Sequence, residues 1–246
     1  EITVSDIVFK IGPRINASGR MRSGKEAVEL LISKDFTFAK EKSDCIDQYN
    51  EERKDLDKKT TGNAKDFIEG NEDFENKNSI VVYNPEWSKG VIGIVASRLS
   101  ELYYRPSIVM TLSNGFATGS ARSVSGFDIY KAIESCRDLL ENFGGHTYAA
   151  GLSLKVENIP EFKSRFQKFV NDHIQPEQTE ATLHIDGHID FRDITPKLRS
   201  ELKRFAPYGP ENPKPLFSTY NVYDYGTSKV VGREQEHIKL ELVDSK

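Results

Sequence analysis

Residues 36–70 place 16 charged side chains in 35 positions. The run AKEKSDCIDQYNEERKDLDKK offers few apolar ones, chiefly Cys45, Ile46, Tyr49 and Leu56. A helix polar on nearly all faces has no core to enter and usually bridges two packed lobes through solvent. If helical throughout, this one spans about 50 Å at 1.5 Å per residue. Gly62 and Asn63 are weak helix formers and mark where a break is expected. The chain is therefore read as lobes joined by a connector. Its 246 residues suffice for one large domain or two small ones.

The flanking stretches differ in texture. Residues 1–35 are short apolar pieces with Gly, Pro and Arg, too little for a core of their own. Residues 78–175 read as α/β. Ser79–Tyr83 is a short apolar strand, and Val91–Tyr104 has a helical apolar face stopped by Pro106. Ser107–Leu112 is a second strand, so strand–helix–strand predicts a parallel pair. Asn114–Gly115 is a hairpin signal leading into Phe116–Ser120. Phe127–Phe143 is expected as an amphipathic helix closed by Gly144–Gly145, followed by a strand at Leu152–Val156 and a helix begun by Pro160. Gln175–Thr179 is a polar linker. Beyond it, Thr182–Phe191, Leu216–Tyr225, Ser228–Val231 and Ile238–Val243 read as strands around a short helix at Pro196–Phe205.

Fourteen Phe and ten Tyr are too many for a disordered chain. No apolar run approaches the ~18 residues of a membrane helix, and no secretory signal pattern opens the sequence. Cys45 and Cys136 make neither a disulfide framework nor a zinc cluster. A cytoplasmic protein with no membrane partner is the expectation. The net charge of −4 rules out a polycation. Yet Lys10, Arg14, Arg20, Arg22 and Lys25 occur with no acid between Lys10 and Lys25, so an anion site must be local and built from a few aimed arginines.

Three Gly-rich segments are candidates for such a site. In Gly12-Pro13-Arg14-Ile15-Asn16-Ala17-Ser18-Gly19-Arg20-Met21, Gly and Pro suggest a turn that presents Arg14 and Arg20; an ordinary helix entry with surface arginines is the plainer alternative. In Gly119-Ser120-Ala121-Arg122-Ser123, small residues would let backbone N–H groups and two hydroxyls surround an anion beside Arg122; a strand end with a surface arginine competes evenly. In Phe143-Gly144-Gly145-His146-Thr147-Tyr148-Ala149-Ala150-Gly151, the glycines permit close backbone approach and His146 can donate to a phosphate or a leaving group; a C-capping pair before a satisfied histidine is the alternative. No carboxylate and histidine cluster fit for two-metal hydrolysis is visible, and His184 and His188 have no carboxylate pattern beside them. Tyr208, Phe217, Tyr220, Tyr223 and Tyr225, with Lys214 and Lys229, suggest base stacking in the last domain, with at least half of the rings expected in a core.

In this order, GPRINASGRM, WSKGVIGIVASRL, GSARS and FGGHTYAAG resemble the RecJ family of single-strand-specific 5′→3′ exonucleases, in the DHH phosphoesterase superfamily. The resemblance covers about residues 8–246. It implies an α/β (α+β) DHH-associated domain, preceded by a long connecting helix and followed by an incomplete OB-type β-barrel. The implied borders are 1–35 for the tail of the DHH catalytic domain, 36–75 for the connecting helix, 76–178 for the DHH-associated domain and 179–246 for a truncated OB-fold domain. The family's Asp-His-His metal motifs are absent from this sequence. The resemblance thus implies a Mn²⁺- or Mg²⁺-dependent parent enzyme whose metal ligands lie outside this chain, no metal site in the chain itself, and no activity by the chain alone. It further implies single-stranded DNA with a 5′-phosphate as the partner. Ser120, Arg122, Ser123, Gly145 and His146 would form the phosphate pocket, with His146 assisting catalysis and Arg14 contacting DNA from the catalytic side. Two rivals remain at this point. A nanoRNA or cyclic-dinucleotide phosphodiesterase of the same superfamily would share the Gly-Gly-His loop but has no use for a strand-tracking barrel. A non-catalytic single-strand-binding scaffold would need none of the chemistry.

Overall fold

The computed structural model describes residues 2–70, 73–209, 211–232 and 234–244. The chain divides into two compact units, Glu1–Ala181 and Thr182–Lys246.

The first unit opens with α1 (Val4–Asp6), a π-helical turn at Ile7–Ile11, α2 (Gly12–Met21) and α3 (Gly24–Ile32). The Gly12-Pro13 pair, expected as a turn, instead continues the helix: Ile11 and Gly12 are both right-handed helical, and the Gly12 N–H bonds to the Ile7 carbonyl. Asp35 caps α4 (Phe36–Glu69) by accepting from the Phe38 N–H at 2.9 Å. The connector is unbroken through Gly62. Packing rather than propensity carries it there, because Thr60 and Ala64 on either side are buried. Nor is it polar all round. Ile46, Asn50, Asp57, Thr60, Ala64 and Ile68 form one buried stripe. Its first half is tied to the arm by ion pairs of Arg14 with Asp47 and Lys42 with Glu29; its second half packs on the sheet domain.

The sheet runs β1 (Ile80–Tyr83), β2 (Ser107–Ser113), β3 (Phe116–Arg122), β5 (Ala149–Leu154), β4 (Leu140–His146) in space. β1 and β2 are parallel across α5 (Ile92–Tyr103), and the other pairs are antiparallel. Asn114 and Gly115, both at positive φ, make the tight turn between β2 and β3. Period-2 alternation splits the apolar side chains between two cores. Ile108, Met110, Ala121 and Leu152 pack against α6 (Ile129–Glu134) and α7 (Ile159–His173) on one face. Ile80 and Val109 meet Trp87, α5 and the end of α4 on the other.

One expected helix is overturned. Phe127–Phe143 is helical only over α6. A 3₁₀ turn at Arg137–Leu139 follows, and the chain then extends as β4. Cys136, Leu139, Leu140 and Phe143 still enter the same core, but from a turn and a strand. Gly144 and Gly145 are therefore strand residues, not a helix cap.

In the second unit, β6 (Gly187–His188) pairs in parallel with β7 (Phe217–Ser218). β8 (Val222–Asp224) pairs with β11 (Leu242–Asp244), and β9 (Lys229–Val231) with β10 (His237–Lys239), both antiparallel. The unit thus holds three two-stranded pieces and α8 (Pro196–Arg204), and no closed barrel is seen among the described residues. The strong alternation over Thr182–Phe191 yields only the two residues of β6. Among the described residues, no helix is long and apolar enough to cross a membrane.

Candidate nucleic-acid interface

Strand β3 buries Ala117, Gly119 and Ala121 on one face, which sends Thr118, Ser120 and Arg122 to the other. Register then assembles a row across three strands. Arg122 stands opposite Ala149, and Ala149 opposite His146. One row inward, Ser120 faces Gly151, and Gly151 faces Gly144. Residues directly opposite in antiparallel strands project to the same side. The result is a floor of Ala149, Gly151 and Gly144 with Ser120 and Arg122 on one bank and His146 on the other. Gly144, Gly151 and His146 are exposed.

Arg122 is half-buried. It donates through Nη1 to Ser120 Oγ at 3.0 Å and to the Ala121 carbonyl at 2.7 Å. No carboxylate pairs with it among the described residues. Burial, and after it the nearby positive charge of Arg20, pulls its pKa below the ordinary guanidinium value. Helix α5 begins against this bank. A Cβ at Gly93 would lie 3.1 Å from Ser120 Oγ and 3.4 Å from Arg122 Nη2. Gly90, two residues before the helix, lies against the backbone of Arg20, where a Cβ would be 2.5 Å from the Arg20 carbonyl oxygen; Arg20 Nη1 donates to the Gly90 carbonyl at 3.2 Å. Two guanidinium groups thus converge where neither has an acid to neutralise it among the described residues, a geometry suited to an anion.

On the far bank, His146 Nδ1 accepts from the Tyr148 N–H at 3.3 Å. A neutral ring in that tautomer carries its proton on Nε2, where it can be donated outward. Gly145 is required by the strand pairing: a Cβ there would lie 2.3 Å from the Ala149 carbonyl oxygen and 2.5 Å from Ala150 Cα.

Two expected site residues stand elsewhere. Ser123 donates its hydroxyl proton to the Phe127 carbonyl at 2.6 Å, and its N–H bonds to the Tyr148 carbonyl at 3.0 Å. It ties the loop after β3 and has no proton left for a phosphate. Arg14, expected on the catalytic side rather than in the pocket, pairs with Asp47 of α4 and donates to the Lys10 carbonyl. Residues 14 and 20 are six positions apart, about 240° around a helix, so only one can face α5. It is Arg20. That helical count is the signal by which the sequence distinguishes them once α2 is known to be a helix. Gly93 carries no such signal, since its neighbour comes from a strand 27 positions on.

In the second unit, Tyr220, Tyr223 and Tyr225 are exposed, and His188 lies 4.7 Å from Tyr220 between ring centroids. Tyr208 donates to the Leu202 carbonyl, and Tyr208 and Phe217 line an apolar hollow of about 660 Å³ with Ile189, Ile194 and Leu198. The rings therefore divide into packing and exposed sets.

Residues 76–172 match the DHHA1 domain, and residues 185–246 match the RecJ OB domain. The chain thus carries a DHHA1 domain followed by a RecJ OB domain. It is 36% identical over 242 residues to the single-stranded-DNA-specific exonuclease RecJ of Bacillus subtilis, a match covering 98% of this chain and 30% of that protein. It superposes with a TM-score of 0.81 and 28% identity on the crystal structure of RecJ from Thermus thermophilus in complex with Mn²⁺, covering 93% of this chain and 33% of that one. The structure of the same Thermus protein with Mg²⁺ gives a TM-score of 0.80. The chain thus spans 30% to 43% of the length of the RecJ proteins it matches. Among its described residues, no group of three or more His, Cys, Asp or Glu is placed to hold a metal ion.

Proposed function

We propose that this chain is the DNA-holding part of a RecJ-type 5′→3′ exonuclease, seating the 5′-phosphate of a single strand in the trough between Arg122 and His146. The observation that carries this reading is Arg122 itself. It is half-buried, unpaired with any acid among the described residues, and close to a second arginine. A terminal phosphate carries up to about two charges against one for an internal diester, so it gains most from such a site. Ser120 orients the guanidinium, His146 offers Nε2–H from the opposite bank, and the glycine floor admits the sugar–phosphate backbone closely. Such residues position a phosphodiester for attack without themselves activating water.

The described residues do not fit a metal site, so Mn²⁺ or Mg²⁺ would be bound outside these 246 residues, and the chain alone is expected to be inactive. The exposed apolar side chains of the arm, among them Phe9, Leu31 and Ile32, with Phe36 at the start of α4, suit docking of that metal-holding part. On this reading residues 1–35 belong to its tail, 36–75 connect, 76–178 hold the DNA end, and 179–246 track the strand by stacking bases on the exposed tyrosines. A cytoplasmic setting and no membrane partner go with it. The RecJ OB domain favours this reading over a dinucleotide phosphodiesterase, which needs no strand-tracking module.

Equilibrium binding tests it. The chain should prefer 5′-phosphorylated single strands to their 5′-hydroxyl counterparts and to blunt duplex. With about four phosphates neutralised, log Kd should vary with log salt at a slope magnitude near 3. With added Mn²⁺ it should release no nucleotide. Equal affinity for blunt duplex, or robust metal-dependent nucleotide release by a clean preparation, would overturn the reading.

A further inference from the structure

The connecting helix carries a second cationic groove, made of residues other than those of the end pocket. Arg53, Lys54, Lys58 and Arg98 line it with Asp57 and Thr61, around a volume of about 490 Å³. A connector that only had to stay soluble would place opposite charges four residues apart. Here Lys54 and Lys58 stand four apart with the same sign, and Thr61 and Lys65 continue that face. The one carboxylate in the lining is already used. Asp57 has a side chain 3% exposed, receives Arg98 Nη2 at 2.8 Å and accepts from Thr61 Oγ1 at 3.3 Å. Arg53 donates to Asn50 at 2.9 Å, yet its Nε is buried with no hydrogen-bond partner among the described residues. Lys58 has no ion pair among them. Lys54 pairs with Glu51 at 2.7 Å, but both are more than half exposed and the pair exchanges readily with another anion.

We propose that this groove binds the phosphodiester backbone of single-stranded DNA, a contact separate from the 5′-end pocket. The cations are spread along a helix face rather than focused on one point, and two are flexible lysines acting as point charges. That suits successive phosphates of a strand better than a single free phosphate. The inference rests on the reading that the chain handles single-stranded DNA.

The test is the double variant Lys54→Ala/Lys58→Ala in the whole chain. Both side chains are exposed, so the fold should be retained; Arg98 is left alone because its removal would strand Asp57. Binding of a 5′-phosphorylated oligo-dT of about 30 nucleotides, roughly twice the largest span of one oligonucleotide-binding barrel, is followed by anisotropy across a salt series. Loss of two phosphate contacts should flatten the log–log slope by about 1.4, so the advantage of the wild type shrinks roughly sevenfold between 50 and 200 mM salt. The preference for a 5′-phosphate over a 5′-hydroxyl should stay as in the wild type. An unchanged slope in the variant, with the wild type binding normally, overturns this inference alone. A wild-type chain that binds no single strand overturns it together with the functional reading beneath it. If inorganic phosphate loses affinity for the variant while the strand does not, the groove is a small-anion site and the inference fails.

Discussion

Adjacent glycines on β4 should respond oppositely to the same substitution. At Gly145 an added methyl would lie 2.3 Å from the Ala149 carbonyl oxygen, 2.5 Å from Ala150 Cα and 2.8 Å from Ala150 Cβ. All three belong to the paired strand, so no rotamer change relieves the clash and β4 must move off β5. Overpacking costs about 1–3 kcal/mol, and rigid backbone neighbours place Gly145→Ala at the upper end, about 2–3 kcal/mol. For a unit of this size, each kcal/mol moves Tm by about 2–4 °C, so melting should fall by about 4–12 °C. At Gly144 a Cβ would meet nothing within 4 Å. Gly144→Ala should leave Tm unchanged or raise it by about 1–4 °C, from the ~0.4–1 kcal/mol gained by a stiffer unfolded chain. Its methyl would stand in the trough, however, between Gly151 and the space a strand would occupy. Single-strand affinity should fall by about fivefold, ~1 kcal/mol. Circular-dichroism melts and anisotropy titrations with 5′-phosphorylated oligonucleotides read the two effects separately. A Gly145→Ala protein melting within about 1 °C of wild type would refute the close strand approach. A Gly144→Ala protein binding like wild type would refute the trough as the DNA face.

Other consequences follow from the same contacts. Ser123→Ala should cost about 1 kcal/mol from the lost bond to the Phe127 carbonyl, seen in chemical denaturation, and leave the 5′-phosphate preference untouched. Arg98→Ala should destabilise by about 1–2 kcal/mol, below the usual cost of breaking a buried pair because Arg98 is 57% exposed, and Asp57→Asn should restore part of that loss. The Tyr103 hydroxyl donates to Glu69 at 3.0 Å, and burial with this bond pushes its pKa up from 10.0 to about 12. Because the folded value is the higher one, stability from this group is complete below pH 10 and lost as pH rises towards 12. Tyr103→Phe should flatten that alkaline decline, measured by denaturation midpoints against pH.

Periodicity and turn chemistry made most of the first unit legible. Asn114–Gly115, Pro106 and Pro160 each mark a boundary through a local backbone rule, and those boundaries stand. The segment after Glu134 was not legible, because Cys136, Leu139, Leu140 and Phe143 meet one core by a route that mimics helical spacing. A Gly-Gly pair has two uses, helix cap or close strand approach, and only the neighbouring strand shows which applies. Gly62 fails to break α4 because burial of Thr60 and Ala64 outweighs a cost of about 1 kcal/mol. In the site, Ser120 and Arg122 could be paired from strand alternation alone. Their partners Arg20, Gly93 and His146 arrive from other elements, and no local rule specifies such long-range neighbours. The exposed and packed tyrosines of the second unit are equally indistinguishable by composition.

The central claim is that Arg122 recognises a terminal phosphate. It is tested by comparing the affinities of matched single strands carrying a 5′-phosphate or a 5′-hydroxyl, in the wild type, Arg122→Ala and Arg122→Lys. Hydrogen bonds to a charged group are worth about 1.5–3 kcal/mol, so Arg122→Ala should cut the preference for the 5′-phosphate roughly 10- to 150-fold while weakening 5′-hydroxyl strands far less. Arg122→Lys should recover only part, because an ammonium cannot make the forked contact. An Arg122→Ala protein that keeps the full preference for the 5′-phosphate would contradict the account.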